Sequence, residues 1–234
     1  MSVRTLRKLR PWIQLAALVL FIALLIGAGR VAWLPADLFF RLDPLAGIAG
    51  MVAARQIVPA LLIGAVVALA ATLLLGRVWC GWICPLGTVL DVTPARCNRL
   101  YEPDPTPRLR SVKYVLLALI LVAALLGNLT FLILDPITLI YRTATTALWP
   151  ALVAVISGVE TVLYQLPFLQ GVIDRFEAAF RGVILPLEQP AYGMGVLLLL
   201  IFAGILALNA IRDRFWCRYL CPLGALLGLV SKAA

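Results

Sequence analysis

Five cysteines and no histidine set the chemistry open to this 234-residue chain. Without histidine, a His-ligated haem, a His-bound zinc site and a His general base are excluded. The cysteines are the remaining strong metal or redox ligands, and four of them share one pattern. Residues 77–90 read RVWCGWICPLGTVL and residues 214–227 read RFWCRYLCPLGALL, with eight of the 14 positions identical. Each block is Cys-x-x-x-Cys-Pro-Leu-Gly, carrying Cys80 and Cys84, then Cys217 and Cys221. If the blocks are helical, the i, i+4 spacing puts each pair of thiols on one face. Pro85 and Pro222 remove a backbone donor, while Gly87 and Gly224 permit a close approach or a left-handed turn. Such a break can aim thiolates and free amides to bond to sulfur. Four soft thiolates converging from two related segments suit one [4Fe–4S] cluster. The bland alternative, unrelated buried cysteines, is weakened by the duplication.

The neighbours of the cysteines admit two readings each. Arg77, Arg214 and Arg218 lie one to three residues from the cysteines and could offset a negatively charged centre, or only set membrane topology. Trp79, Trp82, Trp216 and Tyr219 would either limit water access or anchor the chain at a membrane interface. Cys97 lies outside the repeat, as an incidental thiol or an extra ligand.

The duplication extends upstream, to Leu42-Asp43-Pro44-Leu45 and Leu134-Asp135-Pro136-Ile137. Asp before Pro is a common helix start; a proton or quinone role on the outer face is the other reading of Asp43 and Asp135. From this aspartate to the first cysteine is 37 residues in one half and 82 in the other, so the second half carries 45 extra. The expectation is a single domain over 1–234: repeat 1 about 11–92, repeat 2 about 112–230, with an insertion at 138–188.

These residues need elements to hold them, and the composition says which. The chain is 63% hydrophobic, with 20 Lys+Arg against 11 Asp+Glu. That excludes an ordinary soluble globule, a disordered chain and a disulfide-stapled secreted domain. Uncharged stretches of 19, 21, 21 and 23 residues lie between charges, and about 20 apolar residues span a bilayer. Membrane helices are therefore expected near 11–30, 56–76, 113–134 and 191–211. The stretch 143–159 contains Pro150, and 138–188 is read as mainly non-spanning helices on the outer surface. Four spans put 14 of the 20 basic residues on the side of both termini and both cysteine blocks, which makes that side cytoplasmic. The first span reads as an uncleaved signal anchor. The basic residues are distributed along membrane-flanking segments, which argues against nucleic acid as a partner. The expected fold class is an all-α membrane protein, four transmembrane helices as two parallel two-helix repeats related by an axis along the membrane normal, plus the outer helical insertion.

The paired WCGWICPLG and WCRYLCPLG blocks on such a segment resemble the NapH/NosR/MauN-type membrane iron–sulfur proteins, over about residues 10–230. The resemblance implies electron transfer in a bacterial inner membrane, often from the quinol pool. It also implies that Cys80, Cys84, Cys217 and Cys221 are the motif cysteines. Relatives commonly continue into a ferredoxin module. This sequence ends at Ala234, ten residues past Gly224, so the expectation is either a fragment or a separate ferredoxin-like or reductase subunit as partner, besides membrane lipid. Two further functions stay open: an assembly or regulatory redox protein, and a membrane thiol–disulfide oxidoreductase, whose usual signature is Cys-x-x-Cys. A transporter or channel is disfavoured, because the spans hold no ionisable side chain near their centres.

Overall fold

The structure is a computed structural model that describes residues 3–27, 37–76, 79–93, 107–165, 171, 174–175 and 193–232. The described residues are helical or irregular, with no strand among them. In chain order the α-helices are α1 (Val3–Gly27), α2 (Leu38–Arg41), α3 (Pro44–Ala54), α4 (Pro59–Leu75), α5 (Pro85–Val92), α6 (Pro107–Leu125), α7 (Pro136–Thr143), α8 (Trp149–Leu163), α9 (Gly195–Ile211) and α10 (Pro222–Val230). Six of them open on proline, whose fixed φ suits the first helical turn and whose missing N–H is not needed there. The chain forms two compact units, residues 1–140 with 203–234, and residues 141–202.

Within the first unit the two sequence repeats build the same arrangement. The long helix α1 packs on the first cysteine block and on α5; α6 packs in the same way on the second block and on α10. Helix α10 also touches α3 and α4, so the end of repeat 2 packs on repeat 1. Asp43 and Asp135 are both helix N-caps. Asp43 Oδ1 accepts from the Leu45 and Ala46 amides at 2.9 and 3.3 Å. Asp135 Oδ2 accepts from the Ile137 and Thr138 amides, both at 3.0 Å.

Helices α3 and α4 form a hairpin closed at Arg55, which takes a left-handed φ of 51°. The Asp43–Pro44 turn therefore does not sit at the end of α4. The chain just before it lies against Gly64, where an added Cβ would be 1.8 Å from the Arg41 carbonyl oxygen. Only glycine lets backbone approach backbone this closely.

Among the described residues two helices are long and apolar enough to cross a membrane, Lys8–Gly27 and Pro136–Leu163; Pro44–Ala54, Pro59–Leu74 and Gly195–Ile211 are apolar but shorter. At 1.5 Å per residue the 17 residues of α4 and of α9 each reach about 25 Å. Large apolar side chains on these helices face outward: Ile63, Val66 and Leu74 on α4, Val115 and Val122 on α6, and Val196 and Leu200 on α9 are all exposed. Patches of this kind on a soluble monomer are rare.

Two expectations about the elements need correcting. The uncharged stretch 113–134 is not one helix. α6 stops at Leu125, and Gly127 at φ 78° closes it, with the Gly127 and Asn128 amides returning to the Ala124 and Ala123 carbonyls at 2.9 and 2.8 Å. The start of the 138–188 insertion, expected as mainly non-spanning helices, is part of a 28-residue helix, Pro136–Leu163, that is long and apolar enough to span. Pro150 does not break it. A π-helical turn at Ala144–Leu148 precedes the proline, which then sits in the first turn of α8, where no amide is required.

Candidate iron–sulfur site

The cysteine blocks are not α-helical. Trp79–Ile83 and Trp216–Leu220 are π-helical turns, and Cys84 and Cys221 are the N-caps of the helices that follow. Each closing bond runs back five residues, from Cys84 N–H to the Trp79 carbonyl at 3.0 Å and from Cys221 N–H to the Trp216 carbonyl at 2.9 Å. The cause is the proline after each second cysteine. A residue before proline is driven out of the α region, and Cys84 and Cys221 have ψ of 118° and 114°. The expected shared α-helical face is thus replaced by a widened turn that carries the first cysteine and a cap that carries the second.

The two glycines serve close approach. A Cβ on Gly87 would lie 2.9 Å from the Cys80 carbonyl oxygen, and one on Gly224 would lie 3.2 Å from that of Cys217. Neither has a positive φ. The amides freed at these helix starts do reach sulfur: Gly224 N–H donates to Cys221 Sγ at 3.2 Å, and the Gly87 amide bonds Cys84 in the same way.

The four cysteines of the two blocks are free thiols. Cys84 and Cys221 are buried, while Cys80 and Cys217 are part-exposed. Burial pushes the Cys84 thiol well above its usual value, and the neighbouring Cys80 and Cys217 sulfurs push it further. Cys221 is raised in the same way, by burial and then by Cys217 and Cys80. Cys217 is pushed up to about 11 by burial, against the opposing pull of Arg214. Sulfurs of one repeat therefore feel those of the other. Among the described residues no three Cys, Asp or Glu side chains gather around a single metal-ion position. A [4Fe–4S] cube takes one cysteine per iron and spaces its ligands more widely. The donor set fits such a group. So do Trp79 Nε1 and Trp216 Nε1, buried N–H donors without an acceptor, one residue before Cys80 and Cys217.

A basic cavity of about 990 Å³ opens over Cys80 and Cys217, with Arg10, Arg110, Lys113, Arg212, Arg214, Arg218 and Lys232 in its walls. Lys113 Nζ lies 5.2 Å from the centre of the Tyr114 ring. Arg212 Nη1 donates to the Tyr219 hydroxyl at 2.9 Å. Of the arginines singled out in the sequence, Arg214 donates to the Cys80 carbonyl at 3.4 Å. Arg218 lines the cavity, while Arg77 and Cys97 lie outside the described residues. Trp79, Trp216 and Tyr219 are buried in the protein, at 7%, 7% and 3% exposure, so an interfacial anchoring role does not describe them.

Three residues around the site give no strong sequence signal. Asp91, at the end of α5, takes both oxygens to Arg214, at 2.5 Å each, and also accepts from Arg10 and Gln14 at 2.8 Å. Gln14 holds the Gly81 carbonyl as well, at 2.9 Å. Asn209, at 1% exposure, donates to the Leu90 carbonyl at 2.8 Å and to the Thr93 carbonyl, and accepts from the Arg214 amide at 2.7 Å. That last bond holds Arg214 at its φ of 55°. Burial alone would raise the Asp91 carboxyl, but hydrogen bonds from Arg214 and Gln14 and the charges of Arg214 and Arg10 hold it below its ordinary value. One clue was available: Asp91 is the only acid between residues 77 and 101.

Arranged in this way, the two blocks present four cysteines of the kind that ligate iron–sulfur clusters. Two segments of the chain, 57–95 and 194–234, match the 4Fe-4S binding domain family, one around each cysteine pair. The chain thus carries the 4Fe-4S binding domain in two copies. It is similar to two proteins of Escherichia coli (strain K12). One is a candidate electron transport protein, YccM, 27% identical over 169 residues, covering 68% of this chain and 36% of YccM. The other is the ferredoxin-type protein NapH, 25% identical over 192 residues, covering 81% of this chain and 51% of NapH. The chain spans about a third to a half of the length of these curated relatives. No solved structure matches it.

Proposed function

We propose that Cys80, Cys84, Cys217 and Cys221 together hold one [4Fe–4S] cluster, and that the protein is a membrane electron-transfer subunit. The observation that carries this is that Cys80 and Cys217, one from each repeat, line the same cavity, with Arg214 of repeat 2 donating to the Cys80 carbonyl of repeat 1 at 3.4 Å. A cluster of this kind supplies one-electron transfer. The chain's own residues supply the rest. Four thiolates would be forced apart by their charges unless iron compensated them. The Gly224 and Gly87 amides and the buried indoles offer donors to sulfur, and the basic cavity lowers the cost of a negative centre.

The exposed apolar faces of α1, α4, α6 and α9 support four helices in lipid, with the cysteine blocks on the cytoplasmic side of a bacterial inner membrane. The shared cavity of Arg10, Arg110, Lys113, Arg212, Arg214, Arg218 and Lys232 supports this orientation, since cytoplasmic surfaces are enriched in basic residues. Electrons would come from quinol in the bilayer and leave to a ferredoxin-like or reductase subunit docked over this cavity. The relatedness to a ferredoxin-type protein supports a partner of that kind.

The test is anaerobic purification with iron and sulfide quantification and EPR, on wild type, Cys84→Ser and Cys221→Ser. One cluster shared by both repeats predicts that either substitution abolishes the dithionite-reduced signal. Loss of half the iron in each variant would show two independent centres instead, and iron-free wild type would remove the reading.

A further inference from the structure

Asp43 and Asp135 hold equivalent places in the two repeats, each the N-cap of a helix that opens on proline. Both are fully buried. One oxygen of each is taken by its own helix, as described above. The other oxygens, Asp43 Oδ2 and Asp135 Oδ1, receive no hydrogen bond, yet the two carboxyls lie within hydrogen-bonding reach of each other. Two acceptors meeting in a buried place repel unless a proton lies between them; adjacent buried carboxyls do not both ionise.

Among the described residues, the helices packed on α3 bring no cation to the pair. Helices α4 and α10, packed on α3, contain no ionisable side chain. Arg41 on α2 pairs with Asp37 at 2.8 Å. On α6, Arg110 and Lys113 belong to the N-terminal turns that line the basic cavity. The titratable groups that face the pair are the sulfurs of Cys84 and Cys221, both of which feel the charge of Asp135. The Thr138 hydroxyl is buried beside Asp135.

We propose that Asp43 and Asp135 share one proton across the junction of the repeats and form a redox-linked proton site for the cysteine-held centre. The redox link rests on the cluster reading given above. When one electron from a donor reaches the iron, one proton from water adds to the singly protonated pair, and both carboxyls become neutral. One O–H bond forms on the carboxylate and one breaks in the hydronium that delivers the proton. The buried region then gains no net charge, whereas the electron alone would be placed near a buried carboxylate.

The experiment uses wild type, Asp43→Asn, Asp135→Asn and the double variant. Asparagine keeps the N-cap acceptor, so the helices retain their starts. Infrared spectra at neutral pH should show, in wild type, a carboxylic-acid C=O band that shifts in D₂O, moves in frequency in each single variant as the shared hydrogen bond is lost, and is absent from the double variant. Absence of that band from wild type, or its survival unchanged in both variants, overturns the shared proton. In EPR-monitored titrations with dithionite, the wild-type midpoint potential should fall as pH rises, and the double variant should lose this dependence. A wild-type potential independent of pH overturns the redox link. Iron-free wild type defeats the cluster reading instead, and the infrared arm still decides the shared proton.

Discussion

Repeat 1 and repeat 2 are alike at the sulfur and unlike immediately around it. Both have the π-helical turn, the capping cysteine, the proline and the close-approach glycine. Beyond that the halves specialise. In register with the blocks, Asp91 of repeat 1 corresponds to Gly228, Asn209 of repeat 2 to Thr72, and Gly64 to Ile201. Repeat 1 supplies the acid, repeat 2 supplies the arginine that grips it, and the repeat 2 amide of Asn209 holds the Leu90 and Thr93 carbonyls of repeat 1. The repeated cysteine, proline and glycine positions thus form the candidate site, and the unrepeated Asp91 and Asn209 fasten one half to the other. The arginine is repeated, as Arg77 and Arg214, but the acid is not, because Gly228 stands where Asp91 would recur, so the salt bridge forms in one orientation only.

The largest expected effect separates Gly64 from its surroundings. Gly64→Ala puts a methyl group into the Arg41 peptide, which is backbone and cannot rotate away. It should cost about 3 kcal/mol or more. Gly204→Ala, in α9, meets nothing within 4 Å and should be neutral or stabilising, because alanine favours helix over glycine by about 1 kcal/mol. Thermal unfolding in detergent checks both. Equal melting temperatures would mean that the chain before Asp43 does not cross α4 at this point.

Next comes the buried amide. Asn209→Ala removes the partner of two carbonyls and of the Arg214 amide, at a cost of about 2–3 kcal/mol. Its counterpart Thr72 bonds only the Ala68 carbonyl of its own helix, at 2.8 Å, so Thr72→Ala should cost less than about 1 kcal/mol. Similar losses in the two variants would mean that Asn209 does not join the repeats.

The same contrast explains what could be read from the sequence. The repeat, the four cysteines and the two Asp-Pro turns were legible because duplication writes them twice, and the apolar helices because lipid-length runs are explicit. The π-turns were not legible. Cys-x-x-x-Cys fits an α-helical face, and only the conformation forced on Cys84 by Pro85 widens the turn. The continuous helix through Pro150 was hidden for the same reason, since a π-turn before the proline absorbs it. The Asp91–Arg214 pair spans 123 positions and occurs in one orientation only, so no repeat pattern announces it.

The smallest effect tests that pair directly. Asp91 is 30% exposed and Arg214 19%, so solvent screens their attraction, and Asp91→Asn should cost about 1 kcal/mol at neutral pH. The sign with pH follows from the lowered carboxyl. Folded Asp91 gives up its charge at lower pH than the unfolded chain does. The pair's contribution is therefore complete above the ordinary carboxylate value and is lost as pH falls through the lowered one. Wild type should melt above Asp91→Asn at neutral pH, with the gap closing on acidification below the carboxylate range. Arg214→Lys should recover only part of the gap, because an ammonium cannot take both carboxylate oxygens in a fork and also reach the Cys80 carbonyl. A gap that stays constant down to acid pH would show that Asp91 acts by packing α5 against α1, not by charge, and that no ion pair helps to fasten the two halves here.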